Sequence, residues 1–331
     1  MSENGALIRV ENLQKHFPIT GNVFEGSKGS IHAVDQINFN LYPGRSLGLV
    51  GESGCGKTTT GKLLMRLLDP TGGHIYMHDN ELGLVDLASL KGKQLKAFRR
   101  RAQIIFQDPY ESLNPRRTIY DIVVEPLQVQ GLGRISEKEA RVAEMLDLVG
   151  LTPPSSFMFR FPHELSGGQR QRVAIARALV IDPVFVVADE PTSMLDVSIR
   201  IGVMQLMTEL AERLKVSYLY ITHDLAVARY MCEEIAVMYL GKIVEQAETE
   251  EILKHPQHPY TKALFSAVPI PNPRKQRSVI DIKGGVAAPL DPPPRCRFYD
   301  RCPIADEFCR DENHPPLEDK GDGHLAACYK V

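Results

Sequence analysis

No stretch of this 331-residue chain approaches the ~20 consecutive apolar residues that a membrane-crossing helix needs. Runs such as Val184 to Ala188 have the length of a buried strand instead. The charges nearly cancel, at −2 by formal count at pH 7, so no global basic field argues for a nucleic acid partner. Met1 to Gly5 lack the basic start and apolar core of a secretory leader. The expectation is a chain that stays in the cytosol. Its six cysteines are then thiols or metal ligands rather than disulfides. No internal repeat is present, which excludes a solenoid. What is present is a 43% hydrophobic composition at a length that buries a substantial core, enough for one large domain with an extension, or for two domains. The basic block Phe98 to Arg101 reads as a solvated helix face.

Leu7 to Phe17 and Ile31 to Leu41 read as strands joined by a Gly/Ser-containing loop over Gly21 to Ser30. Ser46 to Val50 is a short strand running into a glycine loop. A helix is expected over Thr58 to Leu68, stopped by Pro70 to Gly73. After the strand Gln103 to Phe106 the character changes, and Asp108 to about Leu165 reads as a helical insertion. Within it, Ser136 to Val149 is a charged helix terminated at Gly150. Helix and strand patterns then alternate over Gly168 to Val180, Val184 to Ala188, Ser198 to Leu214 and Ser217 to Ile221, which implies crossover units and a largely parallel sheet. Ile235 to Tyr239 and Lys242 to Glu245, joined at Leu240-Gly241, read as a hairpin. Beyond Thr249 the chain is rich in Pro and Cys, with Pro269 to Pro273 and Pro289 to Pro294 as extended linkers.

Gly51-Glu52-Ser53-Gly54-Cys55-Gly56-Lys57-Thr58 fits the phosphate-loop pattern G-x-x-x-x-G-K-[ST] between a strand and a helix. By composition the bare pattern arises in roughly one such chain in a hundred, and its context makes it rarer. Glycines let backbone N–H groups curl around phosphate oxygens, and the helix N-terminus favours anions. Lys57 is placed for the β- and γ-phosphates, Thr58 for Mg²⁺, and Thr59 follows within the binding set. Cys55 reads as a small residue between glycines, with a helix start that can lower a thiol pKa. Asp189-Glu190, at the end of the apolar run Val184 to Ala188, supplies a carboxylate for Mg²⁺ and a second one to orient the attacking water. Leu165-Ser166-Gly167-Gly168-Gln169 opens another helix, a second anion-seeking start. Two such starts exceed the need of one nucleotide. The economical arrangement is ATP lying between two subunits.

That pentapeptide, expected by chance in on the order of one such chain in a few thousand, is the signature of the ABC ATPases. From about Leu7 to Glu248 the chain resembles that family. The resemblance implies an α/β P-loop NTPase of ABC type, with a mixed sheet core and an inserted helical subdomain at about 108–165. It implies that Phe17 stacks on adenine, that Gln107 touches Mg²⁺ and water, and that His223 contacts the γ-phosphate. Gly51, Ser53, Gly54, Cys55, Gly56, Lys57, Thr58 and Thr59 would then bind one nucleotide. Ser166, Gly167, Gly168 and Gln169 would bind the partner subunit's. Thr58, Gln107 and Asp189 would hold Mg²⁺, and Glu190, His223 and Gln107 would be catalytic. Ser193 to Asp196 resembles the D-loop, with Met194 where a small residue is usual. No heptad coiled coil lies between Thr58 and Leu165, as a chromosome-maintenance ATPase would need, and only one motif set is present, where a translation-type protein has two.

His255-Pro256-Gln257-His258-Pro259-Tyr260-Thr261 and Asp108 to Arg116 resemble the oligopeptide and dipeptide importer ATPases. The resemblance implies an ATPase domain over 1–250 and a small Pro/Cys-rich C-terminal extension over 251–331. It also implies a peripheral place on the cytoplasmic face of the membrane and a paralogous ATPase as heterodimer partner. Two transmembrane permease subunits and an extracytoplasmic solute-binding protein would complete the importer, with no nucleic acid. The solute expected is di- or oligopeptide, and relatives of this kind also serve oligosaccharides or nickel. Cys296, Cys302, Cys309 and Cys328 lie in a poorly apolar tail that invites a metal to help it fold. Their spacing is neither the zinc-ribbon nor the ferredoxin pattern. Because related ATPases can carry a [4Fe-4S] cluster at a similar position, the resemblance implies one here, with Zn²⁺ as the alternative.

Overall fold

A computed structural model describes residues 5–20, 27–266, 282 and 289–331. In chain order the elements begin with β1 (Ile8–Thr20), β2 (Ser27–Leu41), β3 (Ser46–Val50), α1 (Lys57–Leu64), β4 (Gly72–Asp79) and β5 (Gly83–Asp86). Then come α2 (Gly92–Arg101), β6 (Ala102–Ile105), α3 (Pro109–Ser112), α4 (Ile119–Gln130), α5 (Ile135–Leu148) and α6 (Gly167–Leu179). They continue with β7 (Phe185–Asp189), α7 (Val197–Leu214), β8 (Ser217–Thr222), α8 (Leu225–Met231), β9 (Glu234–Tyr239) and β10 (Lys242–Glu248). The tail holds α9 (Thr249–Lys254), α10 (Pro259–Ser266), α11 (Glu307–Asp311), β11 (Glu318–Asp319) and β12 (Leu325–Ala326).

These elements form two compact units that interleave along the chain. The first comprises Met1–Leu7, Leu41–Ser46 and His78–Tyr220, and the second Ile8–Asn40, Leu47–Met77 and Ile221–Val331. In the first, the strands run in the order β8-β7-β6, and β6 lies parallel to β7 with Ala102 opposite Phe185. All five β7 residues are buried, as expected of a strand covered on both faces. Three helices, α3, α4 and α5, occupy most of residues 109–148, with short turns at 113–118 and 131–134. Thr118 and Asp121 cap α4 reciprocally, and left-handed Gly131 ends it.

In the second unit β3 lies parallel to β9, while β9 and β10 form an antiparallel hairpin, so the sheet is mixed. The hairpin turns at Leu240 and Gly241, with φ 41° and 83°, the left-handed pair that matches strand twist in a two-residue turn. β12 joins the free edge of β10, and β11 follows it. Glu245 on β10 is fully buried. Its carboxylate accepts from the backbone N–H groups of Gln257 (2.7 Å) and His258 (2.8 Å) and meets His324 Nε2 at 2.6 Å. The aromatic rings of Tyr239, Tyr260 and Phe298 pack together with centroids 4.6–5.5 Å apart.

Several expectations need correction. The loop expected up to Ser30 gives way to strand from Ser27, while residues 21–26 lie outside the described set. The strand gains distant partners: Ile31 bridges Leu290, and Asp291 Oδ1 accepts from Ser30 N–H at 2.9 Å. The helix expected to Leu68 ends at Leu64, because Arg66 turns left-handed (φ 49°) and clasps Asp69 at 2.6 Å before Pro70 is reached. The basic block is not simply solvated. Phe98 is fully buried, and Arg101 forks onto Asp79 Oδ2 at 2.8 and 3.1 Å. Nor is the tail without a core, since Phe298 and half-buried Cys296 and Cys302 join the cluster around Tyr239 and Tyr260. Pro269 to Pro273 lie outside the described residues.

Candidate functional site

In the second unit, the buried strand β3 delivers the chain into the loop 51–56. Gly51 has φ 154°, and a Cβ there would stand 2.2 Å from the Met238 carbonyl oxygen. Gly56, at φ 112°, caps α1, and a Cβ there would meet the Ala33 carbonyl oxygen at 2.1 Å. Only glycine fits both. Ser53, Gly54 and Thr58 are exposed, Thr59 is half-buried and Lys57 is buried. Lys57 Nζ donates to the carbonyl oxygens of Gly51 (2.7 Å) and Glu52 (2.9 Å), which holds its charge over the loop. Cys55 packs between the glycines at 1% exposure, and burial pushes its thiol pKa up despite the helix start and the neighbouring Lys57. Phe17 is half-buried on β1, with the Lys15 ammonium 5.1 Å from its ring centre. His223 is exposed just after β8, followed by Asp224, which caps α8 through the N–H of Ala226 at 2.9 Å.

The first unit carries the carboxylates. Asp189 is buried at the end of β7, and Glu190 turns left-handed at φ 45°, a costly conformation for a non-glycine residue. Glu190 Oε2 accepts from Gln107 Nε2 at 3.0 Å, so two residues 83 positions apart meet. The Glu190 backbone carbonyl accepts from Ser193 N–H (3.2 Å) and Oγ–H (3.0 Å), which fixes the turn leading to exposed Met194. Exposed Ser166 starts α6. Its Oγ accepts from Gln169 N–H (3.3 Å), and Gln169 Oε1 accepts from Ser166 N–H (3.0 Å), a complete capping box. Half-buried Gly167 lies near Tyr110 and Leu195, while a Cβ on buried Gly168 would stand 2.5 Å from Ile199 Cγ2.

Cys296, Cys302, Cys309 and Cys328 converge on one pocket, lined otherwise by groups such as Phe298, Ile304, Pro315 and Tyr329. Burial pushes the Cys296 thiol up to about 11 and raises Cys302 and Cys309 as well. Backbone N–H groups point at sulfur nonetheless: Phe298 at Cys296, Ile304 and Ala305 at Cys302, and Lys330 at Cys328 (3.4 Å). Such donors suit thiolates that hold a metal. Tetrahedral zinc, with Zn–S near 2.3 Å, needs sulfurs about 3.8 Å apart. Among the described residues, no three of these thiols lie within 4.8 Å of one another; only His16, His32 and Asp35 form such a group. Asp35 already pairs with Arg297 and, at 3.5 Å, with Lys242, so this trio is a poor seat for another cation.

Glu52, Tyr260 and Arg301 meet beside the loop, a pairing that the sequence assigns to none of them. The Glu52 carboxylate accepts from Arg301 Nη1 (2.9 Å) and Nη2 (3.2 Å), and its backbone N–H donates to the Tyr260 hydroxyl at 3.0 Å. The His-Pro-Tyr run marked Tyr260, but nothing local marks Arg301.

An α/β P-loop NTPase of ABC type is the class that this fold defines. The family model described as "ABC transporter" matches residues 34–193, and that described as "Oligopeptide/dipeptide transporter, C-terminal region" matches 244–309. The chain is 42% identical to the oligopeptide transport ATP-binding protein AppF of Bacillus subtilis, over 98% of this chain and 97% of that one. It is 44% identical to the dipeptide transport ATP-binding protein DppF of Haemophilus influenzae, over 100% and 98%. Among solved structures, the ATP-binding cassette MJ0796, a dimer in a post-hydrolysis state bound to ADP and Pi, is 31% identical at a TM-score of 0.63, covering 73% of this chain and 98% of that one. The chain belongs to the ABC transporter family, within its oligopeptide and dipeptide transport ATP-binding proteins. It is an ATPase, with ATP and Mg²⁺ as the cofactors that go with that activity. Among the described residues no helix is long and apolar enough to cross a membrane.

Proposed function

We propose that this ATPase is the motor subunit of an importer for di- and oligopeptides, seated on the cytoplasmic face of the membrane. In this reading residues 1–250 are the nucleotide-binding domain, with a helical subdomain at about 108–165, and residues 251–331 are an importer-type extension. The partners are a paralogous ATPase in a heterodimer, two permease subunits and an extracytoplasmic solute-binding protein, without nucleic acid. The names of the relatives support the solute, and the hydrogen bond from Gln107 to Glu190 carries the hydrolytic role.

Lys57 and the loop amides hold the phosphates, Phe17 takes adenine, and Ser166 to Gln169 reach the nucleotide of the partner subunit. Thr58, Gln107 and Asp189 are the hard oxygen donors suited to Mg²⁺, which neutralises phosphate charge when bound. With one carboxylate oxygen held by Gln107, Glu190 orients a water against the γ-phosphorus. The new P–O bond forms as the bond to the β-phosphate oxygen breaks, and the proton lost by the water passes to the Glu190 carboxylate and on to the products. ADP and phosphate leave, and His223 contacts the γ-phosphoryl group. The four thiols fit a [4Fe-4S] cluster better than zinc, since they are spread too widely for a single-ion tetrahedron and receive N–H donors. Such a cluster would tie down the tail.

The test is uptake of labelled peptides by cells carrying only the Glu190→Gln chain. Collapse of peptide uptake with sugar and nickel uptake intact is expected; normal peptide uptake with another solute failing moves the label to that solute. Anaerobic purification should give brown protein containing iron. Stoichiometric zinc alone removes the cluster.

A further inference from the structure

Glu52 is the second residue of the phosphate loop, yet its side chain and its amide both face the C-terminal extension. Arg301 forks onto the carboxylate with both terminal nitrogens, and the side chains are only 11% and 25% exposed, so water screens the pair weakly. The guanidinium also reaches the Tyr239 hydroxyl at 3.4 Å, which fixes its plane. Tyr260 is fully buried between Tyr239 and Phe298, so the hydroxyl that accepts from Glu52 N–H sits on an immobile ring. The Glu52 carbonyl in turn accepts from Lys57 Nζ at 2.9 Å and from Cys55 N–H at 3.3 Å. One residue thus links the extension to the lysine and to the backbone that cradles phosphate.

We infer that the C-terminal extension sets the shape of the phosphate loop by gripping Glu52 at two points, the Arg301 guanidinium on its carboxylate and the Tyr260 hydroxyl on its backbone N–H. Arg301 and Tyr260 are positioning residues: they act on nucleotide through Glu52 and Lys57. This rests on the loop 51–58 holding nucleotide phosphates. A free loop samples more conformers, so loosening the grip weakens ATP binding more than it slows the chemical step.

The test titrates the full-length chain, with Mg²⁺, against a fluorescent ATP analogue. Arg301→Ala, Arg301→Lys, Tyr260→Phe, Glu52→Gln and the Arg301→Ala/Glu52→Gln double variant are compared, with folding checked by circular dichroism. Arg301→Ala and Glu52→Gln should each weaken binding about three- to tenfold, and the double variant no further than either single one, because the two groups act as one pair. Arg301→Lys loses the fork and should fall between Arg301→Ala and wild type. KM for ATP should rise by the same factor as Kd, while kcat falls less. Binding within twofold of wild type in folded Arg301→Ala and Tyr260→Phe overturns the inference, as do additive effects in the double variant. A Lys57→Ala chain that binds as tightly as wild type overturns the phosphate-loop reading itself, a result distinct from either.

Discussion

The chain opens two helices on glycine-bearing turns, and the two are built in opposite ways. α1 starts at Gly56, in left-handed backbone, with no side chain capping it, and the first helical side chain is a buried lysine. α6 starts at Ser166 with its cap complete, and Gln169 returns the bond. The first start is shaped to be completed by an anion, with a cation held ready beside it. The second is already stable alone. The Ser166 oxygen is engaged as acceptor, so its own O–H is the part left to offer outward. On the proposed reading the two turns serve different ends, one enclosing phosphate and one touching it from a pre-formed surface.

Substitutions can break or sharpen this contrast. The largest effect is expected at Glu190, which on the proposed reading serves hydrolysis rather than either helix start. Glu190→Gln should slow steady-state ATP hydrolysis by at least about a hundredfold while ATP binding persists in a filter assay. Gly56→Ala comes next: its Cβ would strike the Ala33 carbonyl, so chemical denaturation should show a loss of about 2 kcal/mol. Ser166→Ala removes cap and outward hydroxyl together. It should cost about 1 kcal/mol of stability and lower turnover of the assembled transporter about tenfold. If Ser166→Ala weakens ATP binding by the lone chain as much as Lys57→Ala does, the division between the two starts is lost.

The smallest effect concerns the anchor of the strand that leads to Gln107. Desolvation alone would raise the Asp79 pKa, but the Arg101 fork and the N–H groups of Glu81 and Leu82 hold it below its ordinary 3.8. A carboxylate depressed in the folded state stabilises fully above 3.8, and that contribution fades as pH falls through its lowered value. Thermal melting from pH 6 to pH 3 should therefore show a steeper loss for wild type than for Asp79→Asn.

Much of this contrast is legible in the one-dimensional chain because its determinants are local. The spacing of Gly51, Gly56 and Lys57, the Ser166-to-Gln169 box and the apolar run into Asp189 each span a few residues. The hairpin at Leu240-Gly241 and the helix α5 are equally local. What escaped reading is set by partners far away. The start of β2 is fixed by Leu290 and Asp291, and the burial of Phe98 and the pairing of Arg101 with Asp79 arise from folding. Arg301 finds Glu52 across 249 positions. Which of two influences governs the Cys55 thiol is equally non-local: its helix-start position is written in the sequence, but the burial that outweighs it is not.

Glu245 carries a consequence for anyone who would trim this protein. Its fully buried carboxylate binds the chain at 257–258 and again at His324, so one β10 side chain closes a ring around most of the tail. A chain cut near residue 250 would keep the acid and discard all three of its partners together with the strand β12 that covers the β10 edge. An edge strand and a carboxylate built for burial would both be laid open to water, so shortened versions of this protein need that edge redesigned.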